Sequence, residues 1–255
     1  MRRFWLLSAA ILLPALLLFA VLFAPARLVA WSLPASQASG AGYSGTLWNG
    51  RVASLAVATP AGPLQLGSVR WQVVPASLLT LAPSVRWQSR WGSQQVQGRV
   101  RWLGGESLVL DNLEFGVDAG LLRRFLPVKV SGRFTGLLSE LSIRDGRLNY
   151  LRGQVTWGEA VWRDGDRRFS LGSYAVEFTP DAEGGTEGKL LTLDGPLLAE
   201  GELSLARDGA FAVSLAFKSE QPLAPRLQRA LSLMAAPAED GFRLQLDGNL
   251  YPTSP

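Results

Sequence analysis

Apolar and polar residues alternate one by one along most of this chain, and a β-strand points successive side chains to opposite faces of its sheet. Val69 and Trp71 alternate with Arg70 and Gln72, Val85 and Trp87 with Arg86 and Gln88, Val100 and Trp102 with Arg99 and Arg101. The pattern returns at Leu141/Ile143, Val155/Trp157, Tyr174/Val176/Phe178, Leu203/Leu205, Phe211/Val213/Leu215/Phe217 and Phe242/Leu244/Leu246. Each set makes a half-buried strand with one apolar face. Asn49-Gly50, Asp145-Gly146, Asp164-Gly165, Asp208-Gly209 and Asp247-Gly248 separate the sets, and such pairs accept the positive φ of tight hairpins. The expectation is a mainly β protein, an antiparallel meander of about a dozen strands forming a curved sheet, a sandwich or a trough. Trp71, Trp87, Trp102 and Trp157 are expected to be buried on one face, with Arg70 and Arg86 on the other.

Two segments carry helical spacing instead. Asp118–Leu126 places Leu121, Leu122 and Phe125 on one side and stops at Pro127. Residues 225–236 place Leu227, Ala230, Leu231 and Met234 on one side, with Pro225 suited to a first turn and Pro237 near the stop. A shorter helix is expected after Pro75, through Leu78 and Leu79. Ser68-Val69-Arg70-Trp71-Gln72 repeats identically at Ser84-Val85-Arg86-Trp87-Gln88. That period is too short for a solenoid repeat, so the echo reads as two adjacent strands facing the same way.

Residues 4–24 begin with an uncharged run, Phe4 to Phe23, behind Arg2 and Arg3. At about 1.5 Å per residue such a run matches the hydrocarbon thickness of a bilayer. The flanking arginines orient residues 1–3 toward the cytoplasm. A cleaved signal peptide has a shorter apolar stretch ending in small residues; here Pro25 follows Ala24, and Leu28 stands where the Ala30 site wants a small residue. The reading is an uncleaved, single-pass signal anchor, with Trp5 and Trp31 near the two interfaces. Residues 25–42 read as a linker and 43–252 as one translocated β-rich domain.

The chain has no histidine and no cysteine. This removes Ser-His and Cys-His nucleophiles, histidine or thiolate metal sites and disulfides. Six of ten aspartates precede a glycine, so turn formation accounts for them: Asp145, Asp164, Asp194, Asp208, Asp240 and Asp247. The cluster Asp181, Glu183 and Glu187 lacks the ligand order of a calcium loop and reads as solvated. No phosphate-binding glycine loop is present. Arg-Trp pairs at 70–71, 86–87, 90–91 and 101–102 suggest stacking on nucleic acid. In strands, however, each pair splits between core and solvent, and beyond Arg2 and Arg3 the charge is near balance, with 23 basic against 21 acidic residues. The expectation is no catalytic residue, no metal, no cofactor, no nucleic acid and no enzyme activity.

Gly45-Thr46-Leu47-Trp48-Asn49-Gly50 follows the apolar run, and Leu66-Gly67-Ser68-Val69-Arg70-Trp71-Gln72-Val73 comes next, with Pro75 and Leu78-Leu79. Leu126-Pro127, Gly132, Gly153-Gln154-Val155-Thr156-Trp157, Asp240-Gly241, Leu244 and Gly248-Asn249-Leu250 complete an ordered set. That order resembles the type II secretion system protein N family, the general secretion pathway proteins N, over essentially the whole length. The resemblance implies a bacterial inner-membrane protein with a periplasmic domain. It implies an accessory scaffold linking inner-membrane platform proteins and the secretin, for export of folded proteins across the outer membrane. It carries over no catalytic residue. A second function class stays open: an AsmA-like carrier of lipid or another apolar ligand in an amphipathic β-groove. An open trough speaks for the carrier, a closed dry core for the scaffold alone.

Overall fold

The computed structural model describes residues 16, 19–32, 36, 38–59, 62–80, 82–124, 129–164, 166–219 and 222–251. Most of the expected anchor and all of the expected cytoplasmic tail lie outside the described residues, as do Gly165, Leu126 and Pro127. Among the described residues, no helix is long and apolar enough to cross a membrane. The chain divides into two compact units, residues 1–92 and 93–255.

The first unit holds α1 (Leu28–Ser32), β1 (Ala38–Ala41), β2 (Ser44–Gly45), β3 (Asn49–Thr59), β4 (Gly62–Val73), α2 (Ala76–Leu79) and β5 (Ser84–Trp91). Its strand order is β1-β3-β4-β5, with β2 against the start of β3. The segment expected as a linker therefore contributes a strand, β1, whose Ala38–Ala41 pair with Ser54–Val57. The echoed pentapeptides lie side by side in β4 and β5. Trp71 sits opposite Trp87, Val69 opposite Ser89 and Val73 opposite Val85. Both tryptophans are half-buried while Arg70 and Arg86 are exposed. α2 is the short helix expected after Pro75.

The second unit is a meander of β6 (Gln94–Gly104), β7 (Ser107–Asp118), a 3₁₀ helix (Ala119–Arg124), β8 (Val130–Arg144), β9 (Arg147–Asp164), β10 (Arg167–Pro180), β11 (Thr186–Asp194), β12 (Leu197–Leu205), β13 (Ala210–Ser219), α3 (Pro225–Met234), β14 (Ala236–Ala238) and β15 (Gly241–Asn249). Strands neighbour one another in chain order except that β15 pairs with β13, and β14 with β15. All described pairings are antiparallel. The helix expected over Asp118–Leu126 is only a 3₁₀ turn, consistent with its shortness.

Asp145-Gly146 makes the β8–β9 hairpin with φ of 51° and 71°, as a type I′ turn requires. Two other dipeptides are strand, not turn. Asn49-Gly50 opens β3. Asp247-Gly248 lies inside β15, opposite Ala212 and Phe211. Gly248 is there because the Phe211 ring covers it: a β-carbon would stand 2.9 Å from that ring.

Pairing aligns apolar residues into rows on one face of the second unit. Phe115, Gly136, Val155, Val176, Leu190, Gly201, Leu215 and Leu244 form one such row. Leu113, Leu138, Gly153, Phe178, Gly188, Leu203, Val213 and Leu246 form the next. The opposite face carries Glu114, Leu137, Gln154, Glu177, Lys189, Glu202, Ser214 and Gln245 in register.

The apolar face is the inside of a curl. In a flat sheet, β9 and β15 would lie about 24 Å apart, five steps of ~4.8 Å. Yet the Tyr251 hydroxyl, just beyond β15, accepts from the Leu148 N–H of β9 at 2.8 Å, and Arg147 lies 5.4 Å over the Tyr251 ring. Thr186, in the apolar row of Leu205 and Phe211, accepts from the Leu151 N–H of β9 at 3.0 Å. The opposite end is filled by Ala160, Leu171, Tyr174, Leu197, Ala199 and Leu227 of α3, with Trp157 and Leu231 packed alongside. α3 thus forms, and uses Leu227 and Leu231 as its spacing predicts.

Trp102 departs from expectation. It is 54% exposed, unlike the half-buried Trp71, Trp87 and Trp157. Its strand ends two residues later at the β6–β7 turn, and its indole N–H donates to the Gly105 carbonyl of that turn at 2.9 Å.

Tyr174 is 7% exposed, and its hydroxyl lies 2.8 Å from the carbonyls of both Leu171 and Leu197. Tyr174→Phe removes the one hydroxyl proton that these two carbonyls share and is expected to cost about 1–3 kcal/mol. Burial also pushes the Tyr174 phenol up to about 12 from 10. The unfolded chain ionises first, so stability falls as pH rises from 10 toward 12. Melting temperatures across that window should drop for the native chain and drop less for the Phe variant; equal slopes would exclude Tyr174 as the cause.

Candidate functional site

The Gly45–Gly50 motif builds a clasp in the first unit. The Thr46 N–H donates to the Asn49 carbonyl at 3.0 Å, and the Asn49 N–H donates to the Thr46 hydroxyl at 3.1 Å, closing a tight turn. Gly45 has φ 87°, a left-handed conformation that glycine adopts without strain. The turn then holds the segment that follows the apolar run. The Ala26 N–H donates to the Gly45 carbonyl at 3.0 Å, and the Leu47 N–H donates to the Ala24 carbonyl at 2.7 Å. The Trp48 indole donates to the Val21 carbonyl at 2.8 Å, and Ala26 is 1% exposed. On the other side, the Val73 N–H donates to the Trp48 carbonyl, and the Trp71 indole to the Leu47 carbonyl at 2.9 Å. Chain from Val21 to Ala26 is therefore held by the β2–β3 turn, and β4 holds that turn from the other side.

Asp145 serves its turn as expected and Asp247 does not, and of the cluster expected to be solvated Asp181 is half-buried. Asp181 accepts from the Gly185 N–H at 2.6 Å within the β10–β11 connection, while Glu183 and Glu187 are exposed. Among the described residues, no group of three Asp or Glu is placed to hold a metal ion. Of the Arg-Trp pairs, 70–71 and 86–87 split between solvent and the half-buried layer. In the 101–102 pair the roles are reversed. Arg101 donates to both carboxylate oxygens of Asp111, at 2.5 and 2.8 Å, and Trp102 is the exposed member. Asp111 holds the Arg101 guanidinium above its ordinary value. Nearby, Tyr150 donates to Glu140 at 2.7 Å, and that bond pushes the Tyr150 phenol up. These four side chains make a polar brace across β6–β9 that alternation alone does not reveal, because it depends on diagonal neighbours.

What the second unit offers other molecules is two faces and an edge. The apolar face is closed at the α3 end and half-open elsewhere: Val155, Val176, Phe178, Leu203 and Leu215 are half-buried and Leu246 is 51% exposed. On the polar face, Glu177, Glu187, Glu202 and Asp247 line a groove with Lys189. The groove runs from β10 to β15, and the far side of β15 beyond Arg243 carries no strand among the described residues.

The family model for type II secretion system protein N matches residues 37–245, which runs from β1 into the first half of β15. The chain belongs to the type II secretion system protein N family. A type II secretion system protein N from Aeromonas hydrophila is 28% identical over 264 residues, covering 96% of this chain and 98% of that protein. No solved structure matches the chain. Membership makes this protein an accessory component of type II secretion and of protein transport. In these terms the Gly-Thr-Leu-Trp-Asn-Gly motif that marks the resemblance has a physical reason, since five of its residues close or anchor the clasp. That Leu244–Asn249 have no strand on their outer side among the described residues, and that Tyr251 reaches β9, is what sequence reasoning missed.

Proposed function

We propose that this protein N is a non-catalytic scaffold of the type II machine, contacting the inner-membrane platform and the secretin in the periplasm. Residues 4–24 anchor it in the inner membrane with residues 1–3 cytoplasmic, and residues 43–252 work in the periplasm. The family match carries the secretion role, and the clasp supports the anchor. Leu16, Phe19, Leu22 and Phe23 expose apolar side chains immediately before a segment folded into the first unit. A cleavage after Ala24 would remove the carbonyl that accepts from Leu47. Trp31, 82% exposed, suits an interfacial residue at the outer leaflet. Absence of histidine and cysteine agrees with a role in binding rather than catalysis.

If the anchor acts by holding the domain at high effective concentration, an unrelated membrane helix in place of Phe4–Phe23 should preserve export. Deleting residues 43–252 should leave exported proteins folded but trapped in the periplasm. Normal export after that deletion would overturn the scaffold. The half-open apolar face supports a second reading, a carrier of lipid or another apolar ligand. Normal export together with stoichiometric lipid co-purifying with the intact chain would select it.

A further inference from the structure

Every acidic residue of the chain lies beyond its first unit. Residues 1–92 hold seven arginines and no lysine, aspartate or glutamate, whereas residues 93–255 hold the other 18 basic and all 21 acidic residues. Four of the arginines share one face of β3, β4 and β5. Register sets Arg51 opposite Arg70 and Arg86 opposite Gln72; Arg70 and Gln72, then Arg86, Gln88 and Arg90, follow at every second position. All four arginines are exposed, and their own unit has no carboxylate to neutralise them. Arg51, Arg70 and Arg86 stand two or three residues, about 7–10 Å, from the strand ends at Asn49, Val73 and Ser84. The clasp is at that same end: the Trp48 indole donates to the Val21 carbonyl, and the Trp48 carbonyl accepts from the Val73 N–H. α2 follows Val73 closely and is fixed by Ser77, whose hydroxyl donates to the Val74 carbonyl at 2.5 Å and accepts from the Ser84 N–H at 2.8 Å. With Ser77 turned in, Leu78 is 42% and Leu79 88% exposed. The whole connection from Trp71 to Val85 is uncharged, and Arg70 and Arg86 bracket it.

We propose that the clasp end of the first unit seats on anionic phospholipid, with Leu78 and Leu79 in the membrane interface and Arg27, Arg51, Arg70 and Arg86 on lipid phosphates. The inference rests on the reading of residues 4–24 as an anchor and adds a second contact with the same membrane. An apolar tip among cations suits a bilayer surface, because leucine leaves water at the headgroup–acyl boundary while guanidinium groups pair with phosphate oxygens. Continuity with the anchor fixes the occupant. The clasp holds Val21 to Ala26 against this end, Leu22 and Phe23 of the apolar run are exposed beside it, and Arg27, the next residue, is exposed as well. A bilayer that takes the run therefore meets this end of the unit first. An acidic protein segment would neutralise the arginines but gives no reason for Leu79 to stand in solvent on a rigidly bonded tip. One helix alone lets the unit tilt about its exit point, and a second contact on the same surface fixes that tilt.

Because the chain has no cysteine, Thr80→Cys places a single environment-sensitive fluorophore beside the tip, and Ala58→Cys places one near the far end of β3. The whole labelled chain is reconstituted into vesicles of phosphatidylcholine alone or of its equimolar mixture with phosphatidylglycerol, with spin-labelled lipid as quencher. The Thr80 probe should be quenched in the mixed vesicles and far less in phosphatidylcholine, and the Ala58 probe should stay in water in both. Arg70→Gln together with Arg86→Gln should lower the ratio of seated to lifted unit about thirtyfold, roughly fivefold for each arginine. Leu78→Ser with Leu79→Ser should lower it too, and neither pair should move the melting temperature, since these side chains are exposed. Molar salt should weaken the seat of the otherwise unaltered labelled chain by screening its arginines. A Thr80 probe left in water in the mixed vesicles overturns the inference; export lost in the arginine variants would then assign that face to an acidic protein partner. Equal quenching in both lipids, indifferent to the arginine variants, overturns it as well. Flotation keeps the anchor apart: a chain that floats with both vesicles while Thr80 stays in water retains the anchor and loses the seat. A chain that floats with the mixed vesicles alone retains the seat and loses the anchor, and one that floats with neither loses both.

Discussion

Trp157→Ala is expected to lower the stability of the folded chain by about 3–5 kcal/mol, a large part of what holds a domain together. Trp157 is only half-buried by area, but it stands between two rings, Phe134 at 5.4 Å and Tyr174 at 6.0 Å. Its indole also donates to the Ser131 carbonyl at 3.3 Å. Removing the ring unpacks the edge of the cluster that joins β9, β10, β12 and α3. The neighbourhood cannot collapse easily, because Tyr174 is tethered at its hydroxyl to two carbonyls. Trp102→Ala serves as the contrast. That ring is exposed at a strand end, and its loss should cost about 0.5 kcal/mol or less. Denaturant melts of both variants read the difference directly. Equal losses would mean that Trp102 packs in solution and that the face assignment of β6 is wrong.

Gly50→Val is expected to be comparably damaging, by about 3 kcal/mol, through overpacking and lost clasp contacts. A β-carbon at position 50 would overlap the Trp71 ring and stand 2.7 Å from the Thr46 carbonyl. The Trp71 ring has little freedom to retreat, since its indole is bonded to the Leu47 carbonyl and it lies opposite Trp87. The turn must therefore open, and with it the bonds to Ala24 and Ala26. Protease should then cut between the apolar run and β3 in the variant and not in the native chain. Unchanged proteolysis and stability would show that the clasp does not bind the segment after the run.

Both predictions begin from residues the sequence singles out, yet only one of the four tryptophans expected to behave alike is misplaced, and the reason is geometric. Alternation reports which face a side chain takes. It does not report whether a given point along that face is covered, and Trp102, two residues from the end of its strand, is left exposed. The same limit explains Asp247-Gly248. An aspartate-glycine pair satisfies a turn, but here a ring from the neighbouring strand fills the space above the glycine, so the pair continues the strand.

The echoed pentapeptides needed no such correction. Two identical alternations at a spacing that allows one return are adjacent and face the same way whatever the rest of the fold does. α2 and α3 were likewise legible, from prolines at their starts and apolar spacing within. So was the family, from an ordered set of short motifs now spread from the clasp to β15. By itself, then, the sequence determined strand content, chain-order pairing, the split between apolar and polar faces and the family. These follow from near-neighbour physics, namely side-chain alternation, turn chemistry and helix periodicity. Only the tertiary structure decided that the second unit curls toward its apolar face, because the bond that pins the curl joins residues 103 positions apart. It alone decided that Leu244–Asn249 have no outer neighbour among the described residues, since an edge depends on where strands distant in the chain arrive, and no local pattern in β15 records that.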